Sequence, residues 1–203
     1  MVFGCARAVV THRPRSYGVD SQQQLDATIL REGYRLRNPT LDAEERPLVG
    51  GITLEKNTDA DDDVVSWAAA GTPPVYFGFG SMPVKSPADA VAMIEAACAD
   101  LGERALICSG VWDVGELPHA AHVKIVRSVN HAAVFPLCRA VVHHGGAGTT
   151  AAGVRAGVPT LVLWVGAEQP IWGSRVKHLG VGDYQRFSST TRKSLRRALS
   201  RVL

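Results

Sequence analysis

Long hydrophobic runs are missing from this sequence of 203 residues. No stretch approaches the roughly 18 consecutive apolar residues that a transmembrane helix needs. Residues 1–10 are apolar but too few, and they lack the basic start and the clear cleavage site of a signal peptide. The sequence therefore predicts no integral membrane segment, and we expect the protein to be cytoplasmic.

Cysteine is also scarce. The four cysteines show no CxxC pairing, so we expect neither a zinc site nor a disulfide framework. Buried free thiols in a reducing compartment are the simpler interpretation. The four residues are Cys5, Cys98, Cys108 and Cys138.

Two ligand-binding loops with fixed patterns are absent or incomplete. No GxxxxGK[ST] segment occurs, so a P-loop is excluded. The acidic run at residues 59–63 begins like a calcium loop, but Val64 stands where that loop needs glycine and Ala70 where it needs glutamate. We interpret the run as the acidic start of a helix through Val64, Trp67 and Ala68, because carboxylates are favoured at the positive end of a helix dipole.

The composition supplies enough apolar material for a core, with 46% hydrophobic and 20% charged residues. The net charge of +3 conceals a basic segment, residues 175–203, with eight Lys or Arg and one acidic residue. The spacing predicts a last amphipathic helix with Leu195, Leu199 and Val202 on its apolar face. A patch for nucleic acid or a membrane surface is one reading of the opposite face. We favour a solvated face or a surface for another domain, and expect no nucleic-acid partner. The basic residues of this helix are Arg192, Lys193, Arg196, Arg197 and Arg201.

Short apolar runs alternate with helical patterns from residue 72 onward. This alternation predicts βαβ units and an α/β fold, with a Rossmann-like parallel sheet flanked by helices and buried on both faces. The predicted strands are residues 75–79, 104–108, 123–126, 140–144 and 160–165. The predicted helices are residues 88–101, 149–156 and 171–179, with a further helix at residues 21–37.

A glycine-rich segment, HHGGAGTT at residues 143–150, joins a predicted strand to a predicted helix. Glycines let the backbone approach a ligand closely. The start of the helix favours an anion such as a pyrophosphate, and His144 and Thr149 can add hydrogen bonds to phosphate oxygens. A second segment, GFGSM at residues 78–82, follows another predicted strand, so both segments lie where open parallel sheets bind ligands.

The residues of this segment leave other interpretations open. Gly146, Gly148 and Ala151 fit the G-x-G-x-x-A pattern of a dinucleotide site, and the acidic Glu168 follows about 20 positions on. A tight turn without a ligand is a second interpretation. A metal pair at residues 143–144 is disfavoured, because adjacent strand residues point to opposite faces. His143 is then expected to be a packing residue at the end of its strand.

The longer pattern resembles a known family. Residues 126–170, VRSVNHAAVFPLCRAVVHHGGAGTTAAGVRAGVPTLVLWVGAEQP, resemble the donor-binding signature of the UDP-glycosyltransferase superfamily, which has the GT-B fold. The FGFGSM segment upstream and the IWGSRVKHLGVG segment downstream match the same family. The resemblance is strongest to the bacterial branch that glycosylates natural products and to sterol glucosyltransferases. It covers roughly residues 46–187, which correspond to the C-terminal, nucleotide-sugar half of such enzymes.

The resemblance implies roles for individual residues. His144 and the N–H groups of residues 146–149 would hold the donor diphosphate, and Glu168-Gln169 stands where the family usually has Asp-Gln in contact with sugar hydroxyls. Val129 and His131 would line the nucleobase pocket through backbone and ring contacts. Trp164 and Trp172 are expected in the core or a wall. The donor-binding residues implied are Gly80, Ser81, Val129, His131, His144, Gly145, Gly146, Ala147, Gly148, Thr149, Glu168 and Gln169.

The resemblance also implies a chemistry. Such enzymes transfer a hexose from UDP or dTDP to an acceptor hydroxyl with inversion, and here the acceptor would be a lipid or a natural product. Developing charge on the diphosphate would be stabilised by a helix N-terminus and an imidazole, so neither a metal nor a cofactor is expected.

The resemblance implies an acceptor domain of which residues 1–45 show at most a remnant, with residues 46–203 as the donor-binding domain. No catalytic base is recognisable, and His12 lacks the glycine-rich loop that would surround one. We expect a chain that is truncated relative to the family. The long closing helix that the resemblance implies at the other end is expected to be missing as well. Transfer would then need a separate acceptor-domain partner, and self-association is expected. A non-catalytic nucleotide-sugar-binding remnant and a dinucleotide-binding oxidoreductase module are the alternatives.

Overall fold

The computed structural model describes residues 57–80, 82, 84–114 and 119–203. The expected helix at residues 21–37, the expected acceptor-domain remnant at residues 1–45, His12 and Ser81 lie outside these residues. Within them, no helix has the length and apolar character to cross a bilayer.

Six parallel strands form one sheet in the order β3-β2-β1-β4-β5-β6. This confirms the predicted α/β fold with a Rossmann-like sheet. The strands are β1 (Val75–Gly78), β2 (Ala105–Cys108), β3 (Val123–Val126), β4 (Ala140–His143), β5 (Thr160–Trp164) and β6 (Gly182–Arg186). The helices are α1 (Asp61–Ala69), α2 (Pro87–Ala99), α3 (His131–Val134), α4 (Ala147–Arg155), α5 (Gln169–His178) and α6 (Arg192–Val202), with short 3₁₀ turns at Phe135–Leu137 and Phe187–Ser189.

The sheet is covered on both faces, as continuous apolar strands require. Alternate strand residues point to opposite sides, so Val75 and Phe77 pack with α2 and α6, whereas Tyr76 packs with α1 and the segment around α3. Val162 of β5 packs with α4 and α5. Every residue of β1, β2 and β4 is buried, which makes the centre of the sheet the core of the fold.

Local signals start the helices where the sequence suggests. The Ser86 hydroxyl accepts a hydrogen bond from the Asp89 N–H at 3.2 Å, with proline following the cap, and Thr191 and Ser194 form a reciprocal capping box on α6. The amphipathic prediction for α6 is confirmed, because Leu195 and Leu199 are fully buried. Cys98, Cys108 and Cys138 are buried free thiols, as expected.

Strand β6 was not predicted from the sequence. Its sequence, GDYQR, carries two charged residues and lacks an apolar run, because it lies at the edge of the sheet. Gly182 is required there, since a Cβ would overlap the carbonyl oxygen of Thr160 on the neighbouring strand. The buried Asp183 carboxylate is balanced by Arg201, with Nη2 at 2.5 Å, and by Lys177, with Nζ at 3.0 Å. These cations hold the pKa of Asp183 below its usual value against the opposing effect of burial.

Replacing Asp183 by asparagine should therefore destabilise the protein. The substitution removes the negative charge that two cations share, and we expect a loss of about 1.5–3 kcal/mol, the usual range for hydrogen bonds to charged groups. Urea unfolding at neutral pH measures the change. Asp100→Asn is the matched control, because its pair with Arg192 lies on the surface and should contribute much less. Equal effects of the two substitutions would contradict the special role of the β6–α6 contact.

Candidate functional site

The strand order defines one crevice in the sheet. Strands β1 and β4 are neighbours, and the sheet continues from them in opposite directions, so they form a topological switch point. Their last residues, Gly78 and His143, are paired in register. The loops that follow β1 and β4 therefore leave the same edge of the sheet side by side, where open α/β sheets bind ligands.

The turn after β4 is built around glycines without room for side chains. Gly145 has φ +94°, a conformation that favours glycine, and a Cβ there would lie 2.7 Å from Cγ1 of Val162 and 3.1 Å from Cβ of Gln169. A Cβ on Gly146 would lie 2.7 Å from Nε2 of His144. The turn can therefore pack tightly between β5, α5 and the His144 ring.

Helix α4 starts at this turn with uncapped N–H groups. Gly146 is its N-cap and supplies no side-chain acceptor, and Thr150 N–H is the first to bond back, to the Gly146 carbonyl at 3.0 Å. The N–H groups of Ala147, Gly148 and Thr149 thus have no acceptor within the helix. The first turn of α4 contains no acidic residue, and Gly148 is exposed. This end of α4 is suited to an anion.

His144 lies between the two loops at the switch point. The position of a Cβ on Gly80, in the loop after β1, is 3.3 Å from Cε1 of His144. Burial lowers the pKa of His144, and the Gly78 carbonyl and the Glu168 carboxylate oppose that shift. Within the described part of the chain, its Nδ1 atom makes no hydrogen bond of ordinary geometry. The ring as a whole is only partly buried, so it borders the crevice between the two loops.

His143 is fully buried, as its expected packing role requires. It does more than pack, because its Nδ1 atom accepts a hydrogen bond from the Gly145 N–H at 2.9 Å. Burial, together with the neighbouring imidazoles of His144 and His131, lowers the pKa of His143 to about 3. The ring is therefore neutral at physiological pH.

The loop after β1 is supported by aromatic packing that the sequence did not reveal. The Phe79 ring stacks on Trp112 with centroids 4.9 Å apart, and Trp112 Nε1 donates a hydrogen bond to the Met82 carbonyl at 2.8 Å. A Cβ on Gly110 would lie 2.6 Å from the Gly80 carbonyl oxygen. The loops after β1 and β2 are therefore in close contact. Ser81, the site residue expected here, lies outside the described residues.

Residues 129–131, at the start of α3, direct their side chains toward the protein. Val129 is buried, and the His131 ring stacks on Phe135 with centroids 4.4 Å apart. Nε2 of His131 lies 3.3 Å from the Tyr76 hydroxyl. Asn130 N–H donates to the Asp61 carboxylate at 2.8 Å, which ties this segment to the start of α1. The side chains of Val129 and His131 are therefore held against the protein by these contacts.

The loop between β5 and α5 closes the other side of the glycine turn. The Gln169 side-chain oxygen accepts hydrogen bonds from the N–H groups of Val165 at 2.8 Å and Gly166 at 3.2 Å. Ala167 has φ +53°, a conformation that costs energy for a residue with a Cβ. Glu168 is the N-cap residue of α5 and acts electrostatically on His144. This strained loop therefore brings Glu168 and Gln169 to the crevice.

The two tryptophans near this loop have structural positions. Trp172 is buried, and Trp164 packs against the same cluster, with Arg186 Cζ 5.5 Å from its ring centroid. The expectation that they belong to core or wall is confirmed.

Comparisons with known proteins agree on one family. Residues 96–203 match the model of the erythromycin biosynthesis protein CIII-like C-terminal domain. The uncharacterized glycosyltransferase Rv1524 of Mycobacterium tuberculosis is 64% identical over 81% of this chain and 41% of its own length. A sterol 3-beta-glucosyltransferase of Arabidopsis thaliana is 41% identical over 64% of this chain and 21% of its own length. The chain thus spans less than half the length of these relatives.

Solved glycosyltransferases share the fold. The glycosyltransferase of kitacinnamycin matches with a TM-score of 0.60 and 19% identity, over 94% of this chain and 58% of that one. Glycosyltransferase VinC, solved in complex with dTDP, matches with a TM-score of 0.53 and 25% identity, over 77% of this chain and 38% of its own. Os79 from O. sativa, solved with UDP, matches with a TM-score of 0.58 and 15% identity, over 81% of this chain and 39% of its own.

The buried histidines predict a pH-dependent stability. An unfolded histidine takes up a proton near pH 6.5, whereas His143 in the native state does so only near pH 3, so acid favours the unfolded state over that window. For this one group, the free energy of unfolding at pH 5 should be lower by about 2 kcal/mol. His131 and His144 have lowered pKa values and act in the same direction. Urea unfolding at pH 7.5 and pH 5 measures the loss. A His143→Asn variant with the same pH dependence as the wild type would contradict this assignment.

Proposed function

Because the chain belongs to the glycosyltransferase family with an erythromycin biosynthesis protein CIII-like C-terminal domain, we propose that it binds a nucleoside-diphosphate sugar at the β1–β4 crevice. In this proposal, residues 46–203 are the donor-binding domain of an inverting glycosyltransferase. The donor is a UDP- or dTDP-hexose, and the acceptor is a hydroxyl group of a lipid or natural product.

One observation carries the proposal: the uncapped start of α4 meets the His144 imidazole at the switch point of the sheet. Three N–H groups and a helix dipole converge there, with no acidic residue in the first helical turn. A diphosphate fits this arrangement because its oxygens accept hydrogen bonds and its charge complements the dipole. The Thr149 hydroxyl adds a further donor next to the exposed backbone of Gly148.

The same groups would stabilise the departing diphosphate during sugar transfer. When an acceptor hydroxyl attacks the anomeric carbon, the bond from that carbon to the diphosphate oxygen breaks and negative charge grows on the diphosphate. N–H groups fixed at a helix start stabilise that charge without having to reorganise. His144 would add a further donor when the ring nitrogen that faces the crevice carries the proton. The nucleophile's proton would pass to a base from the acceptor side.

Glu168 and Gln169 would contact the sugar. The oxygen of the Gln169 amide already holds the loop backbone, which leaves its NH₂ group as a donor to a sugar hydroxyl. Glu168 brings a carboxylate to the same edge, where it can accept from hydroxyls. The extra methylene of glutamate, relative to the aspartate usual in the family, would shift the choice of sugar.

The nucleobase and the acceptor class are supported by relatives. The complex of VinC with dTDP favours a pyrimidine nucleotide, which would contact the backbone of residues 129–130. The similarity to a sterol 3-beta-glucosyltransferase favours a lipid alcohol as acceptor.

Val111 and Val165, the exposed large hydrophobic residues of the described part, follow β2 and β5 at the crevice edge, where an acceptor domain would cover them.

A dinucleotide-binding oxidoreductase is the weaker candidate. In the strand order found here, a dinucleotide fingerprint follows β1, whereas the glycine turn of residues 145–148 follows β4. Calorimetry with UDP, dTDP and NAD separates the two functions. Binding of NAD in preference to both diphosphates would overturn the glycosyltransferase proposal.

Replacing His144 by alanine should weaken binding of UDP or dTDP. The variant loses one hydrogen bond to a charged group, which contributes about 1.5–3 kcal/mol, so we expect a roughly 10- to 150-fold higher Kd. Isothermal titration calorimetry measures it. His178→Ala, at the exposed end of α5, is the control and should bind as the wild type does. Unchanged affinity in His144→Ala would remove His144 from the site.

Binding of UDP or dTDP should also survive EDTA. The N–H groups of α4 and the His144 imidazole supply the positive potential that a divalent cation supplies elsewhere. We expect the same Kd with EDTA and with added Mg²⁺ or Mn²⁺, measured by calorimetry. Loss of binding on chelation, restored by either cation, would contradict this.

A further inference from the structure

The His143 side chain is an unusual occupant of the core. It stands at the end of β4, fully buried, between neighbours on β1 and β5. One ring nitrogen, Nδ1, accepts a hydrogen bond from the Gly145 N–H at 2.9 Å, and the other, Nε2, has no partner among the described residues. An unpartnered polar atom in the core is unfavourable, and within the described residues the ring's one hydrogen bond is the one that Nδ1 accepts.

The direction of this hydrogen bond fixes the position of the ring proton. Because the Gly145 backbone donates, Nδ1 must be unprotonated and the neutral ring carries its proton on Nε2. Burial keeps the ring neutral, with a pKa of about 3. His143 is therefore a permanent acceptor under ordinary conditions.

The hydrogen bond acts on the most constrained residue of the turn. Gly145 is buried at φ +94°, and a Cβ there would collide with Val162 and approach Gln169. The next residue, Gly146, is the N-cap of α4. The orientation of the Gly145 peptide therefore helps set the direction in which the first N–H groups of α4 point.

We propose that His143 is a positioning residue for the diphosphate: it holds the Gly145 N–H from beneath the turn and so aims the start of α4 at the phosphates, without touching them. The proposal rests on the function proposed above. The two adjacent histidines then divide the work, since strand alternation sends their side chains to opposite sides of the chain. His144 contacts the ligand, and His143 holds the turn.

Two amide substitutions separate this role from simple packing. In His143→Asn, the side-chain oxygen occupies nearly the position of Nδ1 and can accept from Gly145. In His143→Gln, the same group lies one bond further out and cannot reach that N–H in the same way. Both variants are polar and neutral, so they differ chiefly in where the acceptor lies.

The measurement is the ratio of Kd for UMP to Kd for UDP, determined by calorimetry on the full 203-residue chain. The ratio reports the contribution of the second phosphate and is independent of the folded fraction. We expect a fall of about tenfold in His143→Gln, the size of one lost hydrogen bond, and a change within about twofold in His143→Asn. Melting temperatures of both variants report their folding.

Several outcomes would overturn the proposal. An unchanged ratio in His143→Gln, or equal falls in both variants, would leave His143 as a packing residue only. A wild-type chain that binds neither nucleotide would overturn the proposed function together with this inference, so the two failures are distinguishable.

A measurement on the wild type covers the case in which the glutamine variant does not fold. Nitrogen-15 spectra of His143 should show Nδ1 unprotonated from pH 5 to pH 8, with scalar coupling across the hydrogen bond to the Gly145 amide nitrogen. A proton on Nδ1, or rapid exchange of the Gly145 amide with solvent, would refute the proposed contact.

Discussion

The parallel pairing of β1 with β4 is the constraint on which the rest of the site depends. It sets Gly78 opposite His143, so the chain leaves both strands at one point and must turn there without side chains. The positive φ angles of Gly80 and Gly145 follow from that crowding. Because the turn is tight, α4 begins immediately behind it, and its unpaired N–H groups face the crevice. The tight packing of the turn and the positive potential at the start of α4 thus both follow from the pairing of β1 with β4.

Much of this architecture could be predicted from the sequence because it is local. Apolar runs of four to six residues marked five of the six strands, and HHGGAGTT marked the turn between β4 and α4. Strand β6 could not be found this way, since its pairing depends on Gly182 against Thr160 and its buried charge on Asp183 with Arg201. Such contacts join residues far apart in the chain and leave no periodic signal.

The site shows a similar division. The glycines, His144 and Thr149 form a contiguous motif, whereas the supports of that motif come from elsewhere. Trp112 fixes the loop after β1 through Phe79 and Met82, and Asp61 ties the start of α1 to Asn130. The role of His143 as a hydrogen-bond acceptor was also not predictable, because the sequence shows a histidine at a strand end but not which ring nitrogen faces the turn.

The loop between β5 and α5 links the phosphate end of the crevice to its sugar end. Gln169 approaches Gly145 through its Cβ and holds Val165 and Gly166 through its amide oxygen, so one side chain bounds the glycine turn and shapes the loop. The strained backbone at Ala167 is maintained by these contacts, since nothing about alanine favours a positive φ. A change that relaxed this loop would therefore move Glu168 and the wall of the phosphate turn together. In the proposed enzyme, the choice of sugar and the hold on the diphosphate would not be independent.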